Sequence, residues 1–89
     1  MFSIRFNYRK SAYEALIRVV KDKGSRKEYR ITVMNGELEM LLYGHHVLTE
    51  EDGKLDFSNH GIPQQVAELR TIIAEAFEAY QTEELANAN

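Results

Sequence analysis

The last third of the chain contains the segment PQQVAELRTIIAEAFEAYQTE, residues 63–83, which decides the fold. Its apolar residues recur at steps of three and four, the spacing of one face of an α-helix. They are Val66, Leu69, Ile73, Ala76, Phe77 and Tyr80. The polar residues Glu68, Arg70, Glu75, Glu78 and Gln81 take the other side. Pro63 suits a first helical position, where its missing N–H is not needed. The pattern predicts one amphipathic helix from about Pro63 to Glu83 that must bury its apolar side.

The residues before this helix alternate between apolar and polar side chains, which predicts strands. Residues 2–8 alternate without interruption, and residues 29–34 do so again. Asn35-Gly36 follows, and because both residues tolerate positive φ it predicts a hairpin with a return strand from about Leu38 to Tyr43. Residues 46–48 and 55–57 are further short strand candidates on either side of a turn at 51–54.

Residues 12–23 fit two templates. As a strand, they place Tyr13, Ala15, Ile17 and Val19 on one side, which would face the helix and the core. Their β-branched residues favour this interpretation. As a helix, they place Ala12, Ala15, Leu16, Val19 and Val20 on one face at the spacing of helical neighbours, with Ser11 and Glu14 as a capping box. We prefer the strand, and the helix stays open as the alternative.

These elements predict an α+β fold, an antiparallel β-meander of four to five strands with one long C-terminal amphipathic helix packed on one face. The alternative is β-α-β-β-α, with residues 12–23 helical. A chain of 89 residues has room for one domain, which we place at residues 1–84. Glu83 and Glu84 lie where the helix dipole disfavours negative charge, so we expect a disordered tail at residues 85–89.

The amino-acid composition indicates a folded globular protein. The chain is 44% hydrophobic and 28% charged, as is typical of a folded globular protein. It has no cysteine, so packing or a partner must stabilise its thin core. The start of the chain carries Arg5 and Arg9 and does not resemble a signal peptide, and there is no apolar run of the roughly 18 residues that a membrane span requires. We therefore expect a cytoplasmic location.

The charge is divided unevenly along the chain. Residues 1–30 contain nine basic and three acidic residues, a net charge of +6, whereas residues 31–89 contain two basic and eleven acidic residues, a net charge of −9. Such a division favours oriented association with a partner. It also fits basic strands that merely neighbour an acidic helix within one molecule.

In the meander, the sheet face turned away from the helix combines arginines with apolar residues, a composition typical of an interface. The candidate interaction residues on that face are Arg5, Leu16, Arg18, Val20, Arg30 and Met34. The leading hypothesis is a non-enzymatic interaction module that self-associates or binds a protein partner there. The alternative is a nucleic-acid-associated protein in which the same basic face neutralises phosphates.

The residues that could act in catalysis or bind a metal do not form a known motif. Adjacent strand residues point to opposite faces, so His45 and His46 cannot readily share one ion, and with His60 they lack a recognised ligand spacing. We predict no catalytic residue, no cofactor and no metal site. The tyrosines on the helix side of the sheet are expected in the core, and a ligand pocket between helix and sheet is the lesser alternative.

Overall fold

A five-stranded sheet and two helices make up the computed structural model, which describes the backbone of residues 1–87 and the side chains of residues 1–83. The elements in chain order are β1 (Phe2–Tyr8), β2 (Ser11–Asp22), β3 (Arg26–Val33), α1 (Gly36–Leu41), β4 (Val47–Glu51), β5 (Lys54–Leu55) and α2 (Gln64–Asn87). All neighbouring strands are antiparallel, and their order in the sheet is their order in the chain. The predicted α+β meander with a long C-terminal helix is confirmed.

Strand β2 resolves the ambiguous segment. It pairs with β1 on one side and β3 on the other, so that Ile17 lies between Phe2 and Ile31. Ala15 and Ile17 are completely buried. The alternative with residues 12–23 helical is therefore wrong. Pairing on both edges satisfies the backbone of β2 along most of its length, an advantage that local helix signals do not outweigh.

The side of the sheet that α2 covers is called the inner face. Its buried residues from the three long strands are Ile4, Phe6, Tyr8, Ala15, Ile17, Tyr29, Ile31 and Val33. From α2, the predicted stripe contributes Val66, Leu69, Ile73 and Phe77 to the same core. The Phe77 ring stacks on Phe2 with 5.3 Å between centroids and meets Tyr29 edge-on at 4.8 Å. The helix is therefore fixed to the sheet through aromatic contacts as well as through aliphatic packing.

The hairpin predicted at Asn35-Gly36 is wrong, because these residues begin helix α1. Asn35 is extended (φ −159°), and its Oδ1 accepts a hydrogen bond from the Leu38 N–H at 3.0 Å, as an N-cap residue does. Two acidic residues in the first turn suit the helix dipole. Leu38 and Leu42 lie four apart, and both are buried. The predicted return strand at 38–43 is thus replaced by a short helix, and β4 and β5 complete the sheet.

The tight turn between β1 and β2 is formed by Arg9 and Lys10, which connect the paired residues Tyr8 and Ser11. Both have positive φ, 49° and 68°. Positive φ at both central residues is the requirement of the type I′ hairpin turn, whose twist matches that of the strands. Neither residue type favours this conformation, so the turn is conformationally strained.

Helix α2 begins directly after Pro63, as predicted, and continues to Asn87, beyond the predicted end at Glu83. The predicted tail at residues 85–89 overlaps this last turn, and residues 88–89 lie outside the described part of the chain. Within residues 1–87, no helix combines the length and the apolar character needed to cross a membrane.

Arg70 was predicted on the solvent side of α2, but it ties the helix to the sheet. Its guanidinium donates hydrogen bonds to Asn59 Oδ1 at 3.0 Å and to the Val47 carbonyl at 2.9 Å. Burial lowers the pKa of Arg70. Asn59 in turn donates to Thr71 Oγ1, so the loop between β5 and α2 is held against the helix.

The N-cap of α1 gives a first test. Replacing Asn35 with Ala removes the acceptor for the Leu38 N–H, and we expect the free energy of unfolding to fall by about 1 kcal/mol. The control is Asn35→Ser, which keeps a capping oxygen and should retain most of the stability. Urea denaturation of the three proteins measures the difference. If Ala and Ser proved equally stable, the cap would not stabilise α1.

The strained hairpin gives a second test. The double substitution Arg9→Asn and Lys10→Gly places residues that accept positive φ in the turn, and we expect unfolding to become harder by about 1–2 kcal/mol. The control is Arg9→Gln with Lys10→Gln, which removes the same charges without relieving the backbone. Thermal and urea denaturation measure both variants. An equal gain in the control would show that charge, rather than backbone conformation, limits stability.

Candidate functional site

The side of the sheet opposite α2 is called the outer face. Strand residues next to those of the inner core point to it, because side chains alternate along a strand. Of the six predicted interaction residues, Arg5, Leu16, Arg18 and Arg30 lie on this face, and Met34 follows directly at the end of β3. The three arginines are exposed, as is Met34 at 58%. Leu16 is half-buried between its strand partners Ser3 and Thr32.

Val20 departs from the predicted alternation. The pairing of β2 with β3 shifts between Val19 and Lys21, so that Lys21 faces Glu28. Such a β-bulge reverses the sides of all residues beyond it. Val20 is exposed at 45% but belongs to this irregularity, and Lys21 takes the next position on the outer face.

The register of the outer face decides which charges are neighbours. Four charged pairs that lie directly opposite each other combine unlike charges: Arg5 with Glu14, Lys21 with Glu28, Arg26 with Glu51, and Glu51 with Lys54. The Arg26 and Glu51 side chains approach to 3.7 Å. Each of these pairs adds modestly to the stability of the sheet.

Arg18 and Arg30 are an exception, because they have the same charge and lie opposite each other. They are called the arginine pair, because they lie directly opposite each other on β2 and β3. Like charges in this position destabilise a sheet. Neither guanidinium forms an ion pair with any residue that the structure describes. Arg5, Lys21, Arg26 and Lys54 each lie opposite a carboxylate, whereas Arg18 and Arg30 lie opposite each other.

A shallow groove of about 350 Å³ adjoins the arginine pair at Arg30 and is called the edge groove. Its other lining residues are Tyr43, Gly44, His46 and Val47. Tyr43 is 84% exposed, and Val47 is 38% exposed. Tyrosine and arginine are the residue types that most often dominate binding energy at interfaces. The sequence interpretation missed Tyr43 because it assigned that residue to a return strand; the helical spacing of Leu38 and Leu42 was the available signal.

The three histidines do not converge. The His46 Nε2 lies 2.9 Å from Glu39 Oε1, although the two groups lack the geometry of a hydrogen bond. Glu39 Oε1 accepts a hydrogen bond from the Val33 N–H at 3.3 Å. Glu39 therefore connects α1 to β3, and its contact with His46 lies at the start of β4. No cluster of three or more potential metal ligands exists in the part of the chain that the structure describes.

The arrangement suits recognition of carboxylates. A guanidinium presents a planar fork of donors that matches a carboxylate in two parallel hydrogen bonds. Two guanidiniums side by side, with exposed aliphatic and aromatic groups around them, offer both charge and contact area to a partner. Comparison with known proteins adds no assignment, since the chain matches no protein family, no curated protein and no solved structure at a significant level.

The arginine pair can be tested in the isolated protein. The substitution Arg30→Glu converts the like-charged pair into an unlike one, and we expect a gain of about 0.2–1 kcal/mol in the free energy of unfolding at low salt. The matched control is Arg5→Glu, which places like charges opposite each other at Glu14 and should lower stability. Urea denaturation at low and high salt measures both, and the two effects should shrink as salt screens them. A loss of stability in Arg30→Glu would contradict the register argument.

Proposed function

We propose that this protein is a small non-enzymatic interaction module whose outer face binds an acidic surface of a protein partner. The observation that carries the proposal is the arginine pair. The other four charged pairs of the outer face are complementary, whereas Arg18 and Arg30 repel each other across the strands. A partner carboxylate between the two guanidiniums would relieve that repulsion and gain charge-assisted hydrogen bonds.

The surroundings of the arginine pair support a protein partner. Leu16 lies beside Arg18 along β2, Val47 lies opposite Arg30, and Tyr43 lines the groove next to it. Interfaces combine such apolar and aromatic groups with arginine, and they have few lysines at their centre. The partner therefore should present carboxylates next to apolar side chains.

A different protein fits this face better than a second copy does. A symmetric dimer of outer faces would bring two arginine pairs towards each other and would need carboxylates from the same chain. The acidic residues of β2 are Glu14 and Asp22. Glu14 is opposite Arg5, and Asp22 is opposite Lys27 beyond the bulge. These carboxylates already have cationic neighbours, so self-association gains less than binding of an acidic partner.

Nucleic acid fits this face less well than an acidic protein. Glu14, Glu28 and Glu51 share the outer face with the basic residues and would repel a phosphate backbone. The net charge of the chain is −3, which opposes steering towards nucleic acid. Tyr43 is an exposed aromatic ring beside Arg30, but a single ring is a small stacking platform.

The experiment uses a synthetic peptide of alternating glutamate and leucine residues, titrated into labelled protein while backbone amide shifts are recorded. We expect shifts that cluster on β2, β3 and the edge groove. The double variant Arg18→Ser and Arg30→Ser should bind at least about tenfold more weakly, because two charge-assisted contacts are lost. The control Arg26→Ser removes a guanidinium from the same face, but one that pairs with Glu51. It should bind nearly as well as the unmodified protein.

Three outcomes would overturn the proposal. Equal binding by the double variant would remove the arginine pair from the interface. Tighter binding of mixed-sequence DNA than of the peptide, lost in the same variant, would favour nucleic acid. An oligomer in light scattering that dissociates in the double variant would make a second copy the occupant of this face.

A further inference from the structure

A second concave surface lies on the inner side of the sheet, beside Gln81 and Thr82 near the end of the described side chains of α2. It is called the aromatic cleft and has a volume of about 630 Å³. That volume is within the range of roughly 300–1,000 Å³ that small-molecule sites occupy. Its lining residues are Phe2, Val19, Lys27, Tyr29, Glu50, Gly53, Glu78, Tyr80, Gln81 and Thr82. Apolar groups form most of its surface, and the polar groups come from β3, β4 and α2.

The cleft lies between the inner side of β2 and β3 and the last described side chains of α2. Val19 was predicted in the core, and its partner Tyr29 is indeed buried. Val19 is nevertheless 44% exposed, because it lies in the cleft. An apolar residue that is exposed on the inner face of the sheet marks a gap in the packing between the sheet and the helix.

One wall of the cleft is aromatic. The rings of Phe2 and Tyr80 stack with 5.0 Å between their centroids, nearly parallel at 13°. Phe2 also stacks on the fully buried Phe77, so both cleft rings are held by the core. Aromatic faces are electron-rich and attract cations as well as apolar groups.

A carboxylate is fixed beside this wall. Glu50 Oε2 accepts hydrogen bonds from the Tyr29 hydroxyl at 2.8 Å and from Gln81 Nε2 at 3.3 Å. Burial, together with the hydrogen bond to Glu50, raises the pKa of Tyr29 to about 12. The hydroxyl therefore keeps its proton at neutral pH and continues to donate. Hydrogen bonds of this kind hold the orientation of the carboxylate.

The charges around the cleft favour a cationic ligand. Its charged lining groups are Glu50 and Glu78 against Lys27. Lys27 lies opposite Glu50 in the pairing of β3 with β4, yet no ion pair joins the two among the described side chains. The carboxylates outnumber the ammonium group, and Glu50 Oε1 takes no part in the hydrogen bonds to Tyr29 and Gln81.

We infer that the aromatic cleft binds a small organic amine with an aromatic or aliphatic body. The apolar body would lie against Phe2, Val19 and Tyr80, and the ammonium group would donate to Glu50. This combination of aromatic rings with an oriented carboxylate is the chemistry that recognises organic cations. The inference is independent of the proposed function, since the cleft and the arginine pair lie on opposite sides of the sheet.

The test titrates phenethylamine into the labelled protein and follows backbone amide shifts, with 2-phenylethanol as the uncharged probe and 3-phenylpropionate as the anionic one. We expect the amine to bind more tightly than either, with shifts centred on Phe2, Val19 and Tyr80. The substitution Glu50→Gln should weaken amine binding at least about tenfold, because the charge-assisted contact is lost. The control Glu51→Gln neutralises the next carboxylate, which faces the outer side and pairs with Arg26.

A second variant distinguishes a change in the cleft from a loss of the fold. Val19→Trp narrows the cleft while Glu50 stays unchanged, and it should abolish amine binding, while dispersed amide shifts report an intact fold. Arg18→Ser with Arg30→Ser should bind the amine as the unmodified protein does, which separates this site from the outer face. Equal binding of the alcohol, unchanged binding by Glu50→Gln, or no amine-induced shifts in the cleft would overturn the inference.

Discussion

The packing of α2 on the inner face is the contact on which the rest of the molecule depends. Phe77 is fully buried at its centre, where it stacks on Phe2 and meets Tyr29 edge-on. One helix covers one side of a sheet, and it covers only part of its length. Both candidate sites follow from this limit: neither described helix lies over the outer face, and the aromatic cleft opens between β2, β3 and the last described side chains of α2.

Stability and recognition are separated between the two sides of the sheet. The inner face contains the buried aromatic and aliphatic residues that stabilise the fold. The outer face contributes less, so an unfavourable arginine pair costs only a small part of the total stability there. Unfavourable local arrangements in folded proteins often mark places where a ligand or partner makes up the loss. The strained Arg9-Lys10 turn, in contrast, has a structural reason, since it closes the β1–β2 hairpin.

The turns show which local structures a few neighbouring residues can predict. Asp52-Gly53 was expected to form a turn, and it connects the paired residues Glu51 and Lys54. Asn35-Gly36 is an equally strong local signal, but its asparagine caps a helix instead. The same side chain serves both roles, and the choice depends on whether Leu38 and Leu42 find a place in the core. Arg9-Lys10 gives no local signal, and there the pairing of two long strands imposes the turn.

The sequence by itself determined β1, β3 and α2 and most of their buried sides. A period of two in residues 2–8 and 29–33 and a period near 3.6 in residues 66–80 follow from neighbouring residues alone. The alternation located Arg5 and Arg30 on the outer face, and the strand interpretation of residues 12–23 added Leu16 and Arg18. Only the tertiary structure decided the register. The register places Arg18 opposite Arg30 and Arg5 opposite Glu14, and it shifts the alternation of sides at Val20. The tertiary packing also brings Tyr43 beside Arg30 and leaves Val19 in a cleft with Glu50. Register depends on hydrogen bonds between residues far apart in the chain, and a single bulge changes it without altering the local pattern that the sequence displays.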